Sequence, residues 1–143
     1  MRALNQCIEA ADADADGTLT PSEWDAFLQA VEARDGIRRE TVRLPMSDGV
    51  LLATEILRPA APGRYPVILS RTPYGRTAGK HLPPLVLEGY AVVSQDMRGR
   101  FDSQGENIPF IGCGWSGPPD GVETVQWILR QEWCNGQIGR AHV

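Results

Sequence analysis

The residue types with the most chemical content are packed into one short stretch, Asp12-Ala13-Asp14-Ala15-Asp16-Gly17-Thr18-Leu19-Thr20-Pro21-Ser22-Glu23. Carboxylates at alternate positions of a tight loop can converge on one point, and Ca2+ accepts about six to eight such hard oxygen ligands. Counting from Asp12, the three aspartates fall at positions one, three and five of the loop. Gly17, at position six, permits the sharp turn that brings them together, and Thr18 offers its backbone carbonyl. Thr20 would act through a water, and Glu23, at position twelve, closes the set with both carboxylate oxygens. The plainer reading is a solvated acidic turn capping a helix, which Pro21 and Glu23 would also suit. Four acids, a glycine and the apolar Leu19 in one register favour the cation site. Without metal the four carboxylates repel one another, so the loop is expected to be loose until Ca2+ binds.

Such a loop needs a helix on each side. Leu4, Cys7, Ile8 and Ala11 recur at helical spacing before it, and Trp24, Phe27, Leu28 and Val31 give an apolar stripe after it. Together they make the EF-hand pattern, and residues 1–35 are expected to form that helix-loop-helix module with Ca2+ as its ion. Such hands usually work in pairs, and a second EF-hand is an expected partner, either upstream or on another chain.

A different kind of site is implied further on, in GYAVVSQDMRGRFDSQG from Gly89 to Gly105. Tyr90 to Ser94 is a short, β-branched apolar run that reads as a strand buried on both faces. Asp96, Arg98 and Gly99 stand at its end, and the carboxyl ends of parallel strands are where α/β sheets hold their chemistry. The surrounding pattern supports such a sheet. Glu40 to Leu44 and Val50 to Leu57 read as a hairpin around Ser47-Asp48-Gly49. Tyr65 to Ser70 is a third strand, Leu82 to Glu88 a short helix around Pro83-Pro84, and Gly121 to Gln131 a helix with Val122, Val125, Ile128 and Leu129 on its apolar side. Ile138 would begin another strand. Strands alternating with helices predict an α/β fold with parallel strands and right-handed crossovers.

Four blocks in order, MSDGVLLATEILRP, YPVILSRTPYGR, GYAVVSQDMRGRFDSQGE and DGVETVQWILRQEWCNGQIG, resemble the amino-terminal third of the catalytic domain of the cocaine-esterase / X-Pro dipeptidyl-peptidase-like hydrolases. The resemblance covers about residues 39–139. It implies an α/β-hydrolase fold whose N-terminal strands and first two helices are present here as an incomplete sheet. It also implies a Ser-His-Asp triad, an acyl-enzyme route, and a small-molecule or peptide acyl substrate cleaved at an ester, amide or X-Pro bond. Tyr74 matches the family's tyrosine that donates its hydroxyl to the oxyanion, and a phenol at a strand end can do this physically. The nucleophile of the family sits on a G-x-S-Y-x-G elbow just beyond the last block, so the catalytic serine, acid and base are expected outside this chain, which should be inactive alone. A non-catalytic calcium-binding or interaction module is the alternative.

Other candidates fit less well. Gly114-Trp115-Ser116-Gly117-Pro118 imitates an elbow, but no buried strand leads into Ser116 and prolines follow it. His81 reads as a surface residue, and His142 lacks a third group to orient it. Residues 138–143 match one reading frame of a common sequencing adapter and are expected to be non-native read-through. Asp96 and Arg98 could ion-pair under the active-site loop or contact substrate, and Trp127 and Trp133 read as packing. Without a following strand, the Tyr65–Ser70 strand would present an apolar edge. The net charge is −4, with much of the acid near the N-terminus, which argues against nucleic acid as a partner. No apolar run approaches the ~20 residues of a membrane-spanning helix, so no membrane partner is expected. The three cysteines, Cys7, Cys113 and Cys134, form no metal or disulfide pattern.

Overall fold

Ile37–Pro45 (β1) and Leu51–Pro59 (β2) form an antiparallel hairpin in which Leu44 faces Leu52 and Arg39 faces Leu57. In this computed structural model, residues 20–23, 25–27, 36–76, 83–108 and 117–140 are described. The hairpin turn follows its sequence. The Gly49 N–H donates to the Met46 carbonyl, Gly49 adopts a φ of 84°, and the Val50 N–H donates to Asp48 Oδ1 at 3.1 Å. An aspartate before a positive-φ glycine is a physically sufficient turn signal, because the side chain mimics a backbone acceptor and glycine has no Cβ to clash.

Tyr65–Thr72 (β3), Pro83–Leu87 (α1), Ala91–Asp96 (β4), Asp120–Leu129 (α2) and Cys134–Arg140 (β5) complete the described domain. The sheet order is β1-β2-β4-β3-β5. β3 is parallel to both β4 and β5, whereas β2 runs antiparallel to β4. The α/β sheet expected from the alternating pattern is therefore present, as three parallel strands with an antiparallel hairpin at one side.

β4 is the central element, and all six of its residues are buried. Its alternation sends Ala91 and Val93 to one face, where they meet Ile56, Val67, Leu69 and Ile128 of α2. Val92 points to the other face and packs with Leu57 and Val86 of α1. The sheet is thus covered on both faces, which is why the strand reads as a continuous apolar run instead of an alternating one. Each of these large aliphatic side chains contributes about 1.5–3 kcal/mol by leaving water.

Two expectations are corrected. The buried stripe of α2 is Asp120, Thr124 and Ile128, while Val122 and Leu129 are exposed. Polar partners under the helix, described below, make an aspartate and a threonine the inward residues. The Tyr65–Ser70 strand is also not an edge. β5 begins at Cys134, four residues before Ile138, and pairs with β3 from Tyr65↔Cys134 to Leu69↔Arg140. Of the helix-loop-helix expected over 1–35, Asp12, Asp14, Asp16 and Thr18 lie outside the described residues. Residues 21–23 and 25–27 are helical, and Phe27 is buried.

Candidate active site at the carboxyl ends of the parallel strands

β3 ends in Thr72-Pro73-Tyr74-Gly75-Arg76. Thr72 is buried and its carbonyl accepts the Met97 N–H at 3.1 Å, which ties the end of β3 to the end of β4. The Thr72 hydroxyl accepts the Tyr74 N–H at 3.0 Å, an ST-type turn that throws the chain off the sheet. Tyr74 is 71% exposed, although its neighbours Thr72 and Gly75 are buried. A phenol held on buried backbone but facing solvent is an O–H donor available to a ligand.

The end of β4 is built from charge pairs. Asp96 is fully buried, and its Oδ1 accepts the Arg76 N–H while its Oδ2 accepts Arg76 Nη1 at 2.6 Å. The same Arg76 nitrogen reaches Asp102 Oδ2 at 2.7 Å. Burial works against the charge on Arg76, but its bonds to Asp102 and Asp96 outweigh this and hold its pKa above the ordinary value. Ser103 closes the loop over β2, since its hydroxyl donates to the Asp96 carbonyl at 2.7 Å and accepts the Ala53 N–H at 2.8 Å.

Arg98 organises the other side. Its Nε and Nη2 bind the two oxygens of Asp120 at 2.9 and 2.7 Å, and Nη1 and Nη2 bind Asp48 at 2.8 and 3.2 Å. One guanidinium therefore joins the loop after β4, the first residue of α2 and the β1–β2 turn. Hydrogen bonding to Asp120 outweighs burial and, with Asp48, keeps Arg98 charged far beyond its ordinary range. Arg98 in turn holds Asp48 below its ordinary carboxylate value, helped by the Val50 N–H. Beside it, the Ser47 hydroxyl and amide bind Glu123 and lower its pKa. Deeper under α2, Gln95 accepts from Arg71 Nε at 2.8 Å and donates to Thr54 at 3.0 Å, with the Thr124 hydroxyl 3.1 Å away. This buried polar layer explains the inward face of α2.

Asp96 and Arg98, expected to ion-pair under the loop or to contact substrate, both form ion pairs, Asp96 with Arg76 and Arg98 with Asp48 and Asp120. Asp48, Arg76 and Asp120 were not singled out. Their only local signals are a turn aspartate, a basic residue two places after Tyr74, and an acid at a helix start. Trp127 and Trp133 pack edge to face at 6.5 Å, as expected of structural aromatics. Ser116, His81 and His142 lie outside the described residues, which contain no histidine. Among the described residues there is no group of three or more His, Cys, Asp or Glu side chains that could hold a metal. No helix among the described residues is long and apolar enough to cross a membrane. Of the calcium-loop residues, Thr20 and Glu23 are described. Glu23 Oε2 accepts the Thr20 N–H at 2.9 Å and the Thr20 hydroxyl at 2.6 Å, while the Glu23 N–H donates to that hydroxyl at 3.3 Å, a reciprocal helix cap.

Known proteins resemble the chain in sequence and in fold. A cocaine esterase from Rhodococcus sp. (strain MB1 Bresler) is 42% identical over 105 residues, which cover 68% of this chain and 18% of that protein. The fold matches that of an α-amino acid ester hydrolase with a TM-score of 0.61 at 28% identity, over 76% of this chain and 21% of the other. An aminopeptidase from a marine sediment archaeon (Thaumarchaeota) matches with a TM-score of 0.61 at 25% identity, over 73% and 21% of the two chains. The chain spans about a fifth of the length of the curated relatives it matches. The profile of the X-Pro dipeptidyl-peptidase (S15) family matches residues 48–141, from Asp48 in the hairpin turn through β5. With about two thirds of its length inside that match, this chain belongs to the X-Pro dipeptidyl-peptidase (S15) family of serine hydrolases.

Proposed function

We propose that this chain is the front of the catalytic domain of a serine acyl hydrolase acting on an ester, amide or X-Pro peptide bond, with Tyr74 as the oxyanion donor. The observation that carries the reading is the exposed Tyr74 phenol on buried backbone at the carboxyl end of β3. A serine supplied elsewhere in the protein attacks the acyl carbon, and the carbonyl electron pair moves onto its oxygen. The Tyr74 O–H donates to that developing oxyanion. The pair then returns and the C–O or C–N bond breaks as the base passes the serine proton to the leaving group; water, giving its own proton to the base, then releases the acid and restores the serine. One such donor is worth about 3–4 kcal/mol in an excluded site. The serine, base and acid are assigned to residues outside this chain, so the chain alone should not turn over. The test is labelling with a fluorophosphonate, followed by hydrolysis of a p-nitrophenyl ester. The whole protein should label at one serine and turn over, and the 143-residue chain should do neither. An unlabelled, inactive whole protein would contradict the reading.

A second reading concerns the loop at residues 12–23. We propose that Asp12, Asp14, Asp16, Thr18, Thr20 and Glu23 hold one Ca2+, with a second EF-hand as a partner. The favouring observation is the Thr20–Glu23 cap, which brings the side chains expected at positions nine and twelve into contact at the start of the exit helix. Calorimetric titration with Ca2+ tests it: one site lost on Asp12→Asn supports the reading, and no heat beyond dilution refutes it. If the whole protein has no hydrolase activity, Ca2+ binding by this module is the function that stands.

A further inference from the structure

The dipeptide Arg100-Phe101 is unusual in three ways. Phe101 has a φ of 47°, a left-handed conformation that bulky residues rarely adopt. Phe101 is 64% exposed, so burial does not explain the strain. The Arg100 guanidinium sits 5.6 Å over that ring, while its Nε donates to the Pro73 carbonyl at 2.9 Å. Strained, exposed side chains that persist in a folded loop are held there by their surroundings and cluster at functional sites.

The surroundings here converge on one residue. Arg100 grips the backbone at Pro73, immediately before Tyr74. Phe101 fills the space beside Gly75, immediately after it: a Cβ on Gly75 would lie 3.3 Å from the ring, and Gly75 has a φ of 100°. The loop carrying the pair is itself pinned. The Arg100 N–H donates to the Met97 carbonyl, the Ser103 N–H to the Arg100 carbonyl, and the Gly99 N–H to the Gln104 carbonyl. The Arg43 guanidinium holds the Asp102 carbonyl at 2.7 Å. Among the described residues, the one hydrogen bond Tyr74 makes is its own N–H to the Thr72 hydroxyl. We infer that Arg100 and Phe101 are positioning residues for Tyr74, clamping the backbone on either side of it so that the phenol is fixed before substrate arrives.

The inference rests on the proposed role of Tyr74, and a double-mutant cycle separates the two. In the whole protein, kcat and KM for p-nitrophenyl butyrate are measured for Tyr74→Phe, Phe101→Ala, their double variant and Phe101→Tyr. Tyr74→Phe should lower kcat ~100-fold or more. Phe101→Ala should lower kcat ~10–100-fold with little change in KM, the scale expected when a catalytic group is misplaced by about 1 Å. In the Tyr74→Phe background the same substitution should cost less than about twofold, because the group it positions is gone. Phe101→Tyr keeps a ring against Gly75 and should restore most of the rate. Equal losses from Phe101→Ala in both backgrounds would overturn the positioning role while leaving Tyr74 as donor. An unchanged kcat on Tyr74→Phe would overturn the donor role and, with it, the catalytic meaning of the clamp. The clamp itself is then read by amide 15N relaxation at Tyr74 and Gly75: increased motion in Phe101→Ala supports it, and unchanged order overturns it.

Discussion

Replacing Arg98 with methionine keeps much of the side-chain volume but removes four hydrogen bonds: two to Asp120 and two to Asp48. The two ends of the clamp are not equivalent. The Asp120 side chain is 0% exposed, and the next cationic nitrogen, Arg71 Nη2, is 4.0 Å away. The Asp48 side chain is 42% exposed and can return to water. The cost therefore comes from Asp120, and leaving a buried charge without its partner is worth about 3–5 kcal/mol. That is a large part of the ~5–15 kcal/mol by which ordinary domains are stable. Asp48→Ala should cost far less than Arg98→Met. Removing both buried charges, as in Arg98→Met with Asp120→Leu, should recover much of the loss, because an apolar pair no longer has a desolvation penalty to offset. Urea unfolding followed by tryptophan fluorescence measures this, with Trp127 and Trp133 packed along α2 and the turn after it as reporters. The reasoning is refuted if Arg98→Met lies within about 1 kcal/mol of the parent, the range of an ordinary surface pair. It is equally refuted if the double variant is no more stable than Arg98→Met alone.

Two further outcomes follow from the same residues and from the loop before them. Asp48 and Glu123 have folded pKa values below their ordinary 3.8 and 4.5, so the stability they contribute is complete above those values and drains away as pH falls through the depressed ones. Ser47→Ala removes the hydroxyl that binds Glu123 and should flatten this acid limb of a melting-temperature profile; an unchanged limb would contradict the assignment. Saturating Ca2+ should raise the melting temperature, by the equivalent of about 2.7 kcal/mol at a hundred times the dissociation constant, and Glu23→Gln should weaken the response. A melting temperature indifferent to Ca2+ would contradict the calcium site.

The elements that could be read from sequence are those whose cause is local. The β1–β2 hairpin follows from an Asp-Gly turn between alternating runs, and β4 from an uninterrupted β-branched run that only a doubly covered strand accepts. The exposed Tyr74 at the end of β3 could be reached through the YPVILSRTPYGR block. What sequence missed depends on partners far away in the chain. The inward face of α2 is set by Arg98, 22 residues before Asp120, and by Gln95, 29 residues before Thr124. Hydrophobic periodicity therefore favoured Val122 and Leu129, which are exposed. The ion-pair partners of Asp96 and Arg98 were hidden for a similar reason. The two side chains leave the end of β4 toward different partners, Asp96 to Arg76 at the end of β3 and Arg98 to α2 and the hairpin turn. The clamp around Tyr74 was equally hidden, because a positive φ at Phe101 has no signature in residue type.

The most direct test of the proposed chemistry is the turnover of a p-nitrophenyl ester by the whole protein before and after Tyr74→Phe, a change that deletes one oxygen from a side chain exposed to solvent. Loss of about 100-fold or more in kcat, with KM and the melting temperature nearly unchanged, is the expected result for an oxyanion donor. A kcat within about twofold of the parent would show that the oxyanion is held by other groups and that Tyr74 only ends a strand.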